Sequence, residues 1–200
     1  MLFSTDADHA GQFFLSPRIE VAPPGWFGVL YLLRRDIDLC MGIDPNTGQP
    51  VRYRAAAKWP GAMAILAGID LLAKFFYGCD ETSKSSERFR LFLDHFFEAV
   101  SPNPEHREAV YQLRNALLHS FGLYSRVRNG KEYRFFLTCD GTSDALVSHN
   151  PPDQWSVNLR VLHREFENVV EVYRDKLDSA PDLRDKFNRM FGNYGRIYIG

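Results

Sequence analysis

The chain has 200 residues, enough for one domain with a sizeable core. Its apolar fraction of 45%, with 16 Phe and 9 Tyr, excludes an intrinsically disordered chain. A formal charge of −1 argues against a protein that holds nucleic acid over its whole surface, but leaves room for a local basic patch.

Three cysteines, Cys40, Cys79 and Cys139, lie far apart and form no C-x-x-C pair, so reduced, mostly buried thiols are expected. The opening MLFSTDADHA has acidic residues and no basic segment leading into an apolar run, unlike a signal peptide. The most apolar run, residues 61–77, contains Asp70 and Lys74 and is short for a bilayer span. The expectation is a soluble, cytoplasmic protein without a membrane partner.

Residues 1–24 read as an irregular arm, with a short strand near 12–15, ending in Pro23-Pro24-Gly25. A first helix is predicted over 26–41, where Trp26, Val29, Leu30, Leu33, Ile37 and Cys40 keep helical spacing. GIDPNTGQP closes it. A second helix runs over 60–77, with Pro60 in its first turn and Gly78 at its end. A third starts at Ser85 or Ser86 and reaches 100, burying Phe89, Phe92, Leu93, Phe96 and Phe97. A fourth follows Asn103, with Pro104 at its first position and Glu105 in its first turn, and closes near Gly122.

The pattern then changes. LYSRVRNGKEYRFFLT holds two β-prone runs joined by Asn129-Gly130, predicting a hairpin over 123–138 with a type I′ turn. A loop with Pro151-Pro152 follows. Ser156 is the expected cap of a long helix to about 177, striped by Leu162, Phe166, Val169, Tyr173 and Leu177, and a short last helix covers 181–190. The fold class is therefore mainly α: a single domain with a four-helix core over 26–122, an inserted hairpin, and C-terminal helices over 156–190.

Along the fourth helix, Val110, Leu113, Leu117, Phe121 and Tyr124 form a core stripe. The other side is not simply solvated: Tyr111 and Leu118 stand there beside Asn115 and His119. Asn115 and His119 are one turn apart and can touch. Arg114 and His119 lie about 140° apart round the axis, so two facing copies of the chain would unite them more easily than one. This predicts a homodimer through Tyr111, Leu118 and His119.

Arg114-Asn115-x-x-x-His119 near the end of a four-helix core resembles the signature of the HEPN superfamily. The resemblance covers roughly residues 26–122. It implies a small helical bundle and, in many members, a metal-independent ribonuclease of toxin, defence or RNA-processing systems, in some cases with a neutralising protein partner. The R-x-x-x-x-H spacing also occurs at Arg90–His95, but there no amide follows the arginine and no small residue follows the histidine. Asn115 and Ser120 supply both at the later site.

On this resemblance His119 is the acid/base, Arg114 holds the phosphate and Asn115 orients the imidazole, with Asp70 and Ser120 in support. Histidine titrates near neutrality and arginine offers a planar fork to a phosphorane. RNA would be cleaved by its own 2′-hydroxyl, leaving a 2′,3′-cyclic phosphate and a 5′-hydroxyl. Phe121 stands where one branch of the superfamily carries an adenylylated tyrosine, so that modification is not expected.

Asp70 has two readings: an i, i+4 ion pair with Lys74, or burial against Arg114. The hairpin carries Arg126, Arg128, Lys131 and Arg134 against Glu132, a candidate phosphate surface or a solvated strand edge, with Tyr124 and Tyr133 available for stacking. No histidine or cysteine spacing suits a metal, and no phosphate-binding glycine loop occurs, so no metal or cofactor is expected. Two alternatives to the enzyme are a catalytically silent module of the same fold that binds protein or RNA, and a self-associating structural protein.

Overall fold

A computed structural model describes residues 6–17, 27–51, 56–139, 141 and 143–197. Trp26 and the Pro23-Pro24-Gly25 break lie outside the described residues. The described chain is mainly helical: α1 Asp6–Phe13, α2 Val29–Met41, α3 Lys58–Tyr77, α4 Ser85–Phe96, α5 Pro104–Ser120, α6 Leu159–Ser179 and α7 Pro181–Tyr194. Strands β1 Phe27–Gly28 and β6 Arg196–Ile197 pair antiparallel, while β2 Tyr124–Arg126, β3 Glu132–Thr138, β4 Val147–Asn150 and β5 Gln154–Asn158 form a second sheet.

The chain divides into two compact units. The first comprises residues 1–64, 74–80 and 170–200; the second comprises 65–73 and 81–169. Helices α3 and α6 each contribute residues to both.

In the first unit the strand expected near 12–15 is instead the end of α1. Ala10, Phe13 and Phe14 stand at i, i+3 and i+4, the spacing of a helical face, and all three are buried. Phe13 meets Phe75 at 4.6 Å and Phe187 at 5.3 Å between ring centroids, and Phe14 meets Tyr173 at 5.7 Å. These aromatic contacts make the core of the unit. Helix α2 buries Leu30 and Ile37 as its spacing requires, but also Arg34 and Asp38. Arg34 donates to the Leu15 carbonyl at 3.4 Å and pairs with Glu171 at 3.4 Å.

Helix α3 is long and apolar enough, by length and composition, to cross a membrane, and 50% of its apolar window is buried within the protein. It ends at Gly78, whose φ of 77° and close approach to Lys186 (2.8 Å from a Cβ placed there) both demand glycine.

In the second unit α4 buries Phe89, Phe92, Leu93 and Phe96 but stops short of 100. Phe97 and Val100 remain buried in the turn that follows. Helix α5 begins as expected: Asn103 Oδ1 accepts the Glu105 and His106 amides at 2.9 and 3.4 Å, with Pro104 at the first position.

The hairpin proves to be half of a four-stranded mixed sheet, ordered β2-β3-β5-β4. Strands β2 and β3 pair antiparallel with Tyr124 opposite Arg134, and β3 runs parallel to β5 with Phe136 opposite Ser156. The β2–β3 turn is not type I′. Only Gly130 has a positive φ, 87°, and its amide donates to Val127 at 2.9 Å while the Val127 amide donates to Lys131 at 3.0 Å. This is a type I turn closed by a left-handed glycine.

Strands β4 and β5 fall where a loop and a helix start were expected. Ser156 lies within β5, and the cap of α6 is Asn158, whose Oδ1 accepts the Arg160 amide at 3.1 Å. Alternation of Trp155 and Val157 with Gln154, Ser156 and Asn158 was the available signal for this strand. Tyr133, Phe135, Trp155 and Val157 form the sheet's buried face, toward α5; Tyr124, Arg134, Phe136 and Ser156 point the other way.

Candidate functional site

The site lies in the second unit, on the last two turns of α5 and the middle of α3. Helix α5 runs to Ser120, and Phe121 takes a left-handed conformation with φ 49°. The amides of Phe121 and Gly122 both turn back to the Ala116 carbonyl. The helix therefore closes one residue before the expected glycine. Of the predicted core stripe, Val110, Leu113 and Leu117 are buried, whereas Phe121 is 73% exposed and Tyr124 43% exposed.

Arg114, Asn115 and His119 converge within one chain. Arg114 Nη1 donates to Asn115 Oδ1 at 3.1 Å and meets His119 Nε2 at 2.6 Å. The angular separation that suggested a second copy is spanned by the arginine's own stem, so this geometric reason for a dimer falls away. A guanidinium can only donate, so Nε2 is the acceptor.

On its other arm Arg114 Nη2 bonds Asp70 Oδ2 at 2.9 Å, the two side chains being 10% and 17% exposed. Of the two readings of Asp70, the pairing with Arg114 is the one observed. Lys74 instead places Nζ over the Tyr194 ring at 4.8 Å. Asp70 Oδ1 and Arg114 Nε are buried without a hydrogen-bond partner among the described residues. The ensemble is thus a half-buried carboxylate, a buried guanidinium, a carboxamide and, at the outer end, the exposed His119 and Ser120.

The competing pair is committed elsewhere on its arginine side. Arg90 forks onto Glu108, with Nε at 2.7 Å and Nη2 at 3.2 Å, and lies over Tyr111 at 4.0 Å. Sequence reasoning missed the network this pair belongs to. Gln112 is buried, donates to Glu108 at 2.7 Å and accepts from Ser125 Oγ at 2.6 Å, joining α4, α5 and β2.

The hairpin cations are partly spoken for. Arg134 is bonded to Asp153 at 2.7 Å and Glu132 at 3.3 Å, Lys131 pairs with Glu105 at 3.4 Å, and Arg126 lies 3.8 Å from Glu132. Arg128 is exposed and makes no ion pair among the described residues. It lines an open groove of about 550 Å³ with Arg90, Glu105, Glu108, Lys131 and Tyr133.

Tyr133 cannot offer a stacking face to solvent, being 2% exposed. Burial pushes its hydroxyl up from the ordinary tyrosine range, while Lys131 pulls the other way. The cysteines are free and half-buried rather than buried.

Comparison with protein-family models, with curated proteins and with solved structures finds no match to this chain.

Proposed function

We propose that the protein is an HEPN-like, metal-independent endoribonuclease, and the single observation supporting this is the convergence of Arg114, Asn115 and His119 on one another in front of Asp70. Asp70 holds the guanidinium from behind, so that its outer edge faces the imidazole. A scissile phosphate entering beside His119 replaces the Nε2 contact with its own oxygens, and arginine then stabilises the charge of the phosphorane.

The reaction moves two protons. The 2′-oxygen loses one as it bonds phosphorus, and the departing 5′-oxygen gains one as its bond to phosphorus breaks. Once released from Arg114, the Nε2 lone pair of His119 takes the first. A second copy of the chain, docked through Tyr111 and Leu118, supplies a His119 in its protonated, imidazolium form, which gives the second and is left neutral. Asn115 orients the ring in each copy. A toxin or defence role in the cytoplasm, opposed by a neutralising protein, belongs to the same reading.

The second reading, a catalytically silent module of the same fold that binds an RNA or protein partner, has an observation in its favour. The histidine's acceptor nitrogen is already occupied by an arginine that is itself nearly buried.

The separating experiment incubates wild type, His119→Ala and Leu118→Glu with a mixed single-stranded RNA and no divalent metal. On the enzyme reading, wild type yields fragments ending in 2′,3′-cyclic phosphate. His119→Ala loses at least about 100-fold in rate, the low end of what general acid–base catalysis contributes. Leu118→Glu loses cleavage together with sedimenting mass. Equal fragmentation by wild type and His119→Ala sinks the enzyme reading, and a wild-type monomer sinks the shared site.

A further inference from the structure

Among the described residues of the second unit, four large apolar side chains stand exposed: Leu91, Phe121, Tyr124 and Phe136. The three aromatics are not scattered. Phe121 ends α5, Tyr124 opens β2 three residues later, and the Cα atoms of the two are at most about 11 Å apart. Tyr124 lies opposite Arg134, so Phe136 is its diagonal neighbour on the same face, at a spacing of about 7–8 Å.

Phe136 in turn lies opposite Ser156. There a small cavity of about 180 Å³ opens, lined by Thr138, Ser148, Ser156 and Asn158 among others. Among the described residues its lining has hydroxyls and a carboxamide and no ionisable side chain. Such a lining suits a neutral group that both donates and accepts hydrogen bonds, such as a ribose hydroxyl or a base edge.

Tyr124 and Phe136 at roughly nucleotide spacing, with the exposed Phe121 three residues before Tyr124 and a polar pocket beyond Phe136, suit unpaired bases. The charge agrees. Arg126 and Arg134 alternate with the aromatics and Arg128 stands at the hairpin tip, against Glu132 and Asp153. Arg134 also lies 5.6 Å over the Tyr124 ring, so the cation and the aromatic share one side of the sheet. Phe121 belongs to the series on a further ground. It keeps a left-handed backbone, unfavourable for a bulky side chain, and gains little burial in return.

We infer that Phe121, Tyr124 and Phe136 form a stacking track for three consecutive unpaired nucleotides, leading from His119 across the outer face of the sheet to the Ser148/Ser156 pocket. That the strand is RNA rather than DNA rests on the proposed ribonuclease function; the stacking itself does not. Affinity comes mainly from the rings, with at most three arginines reaching phosphates. The plot of log affinity against log salt is therefore shallow, its slope no steeper than about −2.

The test measures binding of a fluorescent single-stranded uridine-and-adenine 12-mer by anisotropy, with every protein carrying His119→Ala so that cleavage cannot intervene. Phe121→Ala, Tyr124→Ala and Phe136→Ala each weaken binding by about tenfold, without change in thermal midpoint. Leu91→Ala, exposed but off the track, binds as the parent does. A duplex of the same sequence binds at least tenfold more weakly than the single strand.

Parent-like affinity in all three aromatic variants, or equal weakening by Leu91→Ala, overturns the track. So does loss of self-association rather than of oligonucleotide binding, which would assign the strip to a second copy of the chain. Failure of the ribonuclease reading looks different: wild type and His119→Ala then cleave alike while the aromatic variants still lose binding.

Discussion

Arg114 carries the most consequential geometry in the molecule, and its position has a cost. A guanidinium 10% exposed is supported by one carboxylate oxygen, a carboxamide and an imidazole, while its Nε and Asp70 Oδ1 find no partner among the described residues. Removing one member of such a pair leaves the other charge in a poorly solvated place. Asp70→Ala should therefore lower unfolding free energy by about 3 kcal/mol, read from urea midpoints. Adding Arg114→Met should recover most of that loss, because no charge is then stranded. An additive double variant would show that Asp70 does not serve Arg114. Phe121 expresses the opposite imbalance: a bulky residue held left-handed and left in solvent. Asn115 and His119 were legible as neighbours from spacing alone. Arg114's reach to His119 was not, because helical angles locate Cα–Cβ directions and not the tip of a long flexible stem.

At the scale of elements, some helix boundaries were written plainly, the start of α5 and the ends of α2 and α3 among them, and others were not, such as the end of α4 and the start of α6. Asn103-Pro104-Glu105 specifies the start of α5 by local chemistry: a side-chain acceptor, a residue that needs no amide partner, and an acid at the positive end of the helix. Asn103→Ala should cost about 1 kcal/mol of stability, measured by thermal or urea unfolding, since two amides lose their acceptor. An unchanged midpoint would mean that solvent caps the helix equally well. The sheet shows why the second half of the β region was missed. Strand β5 is five residues long and gains its identity from a parallel pairing with β3, about twenty residues earlier in the chain. Periodicity over so short a run competes poorly with a strong helix pattern starting immediately afterwards. The turn type at Gly130 had the same cause: Asn-Gly suits two turns, and the loop length that decides between them depends on where the strands begin pairing.

At the scale of the whole molecule, the chain divides into two compact units, each assembled from separated segments, with α3 and α6 contributing to both. The first unit's core includes Tyr173, whose hydroxyl burial pushes far above the usual tyrosine range. In the unfolded chain that phenol ionises near pH 10, while in the folded one it keeps its proton. Stability from this group is therefore complete below about pH 10 and falls as pH rises beyond it, by up to about 1.4 kcal/mol per pH unit. Tyr173→Phe should flatten this alkaline decline in urea midpoints taken from pH 8 to 11. A decline of equal slope in the variant would place its source elsewhere. By itself the sequence determined what depends on neighbours a turn apart: mainly helical character, the buried stripes of α4 and α6, the cap of α5, and the adjacency of Asn115 and His119. Only the tertiary structure decided that Asp70 stands behind Arg114, that the hairpin joins a four-stranded sheet, and that Phe121 and Phe136 face solvent. Each of those is a contact, or the lack of one, between parts of the chain too far apart for any local period to encode.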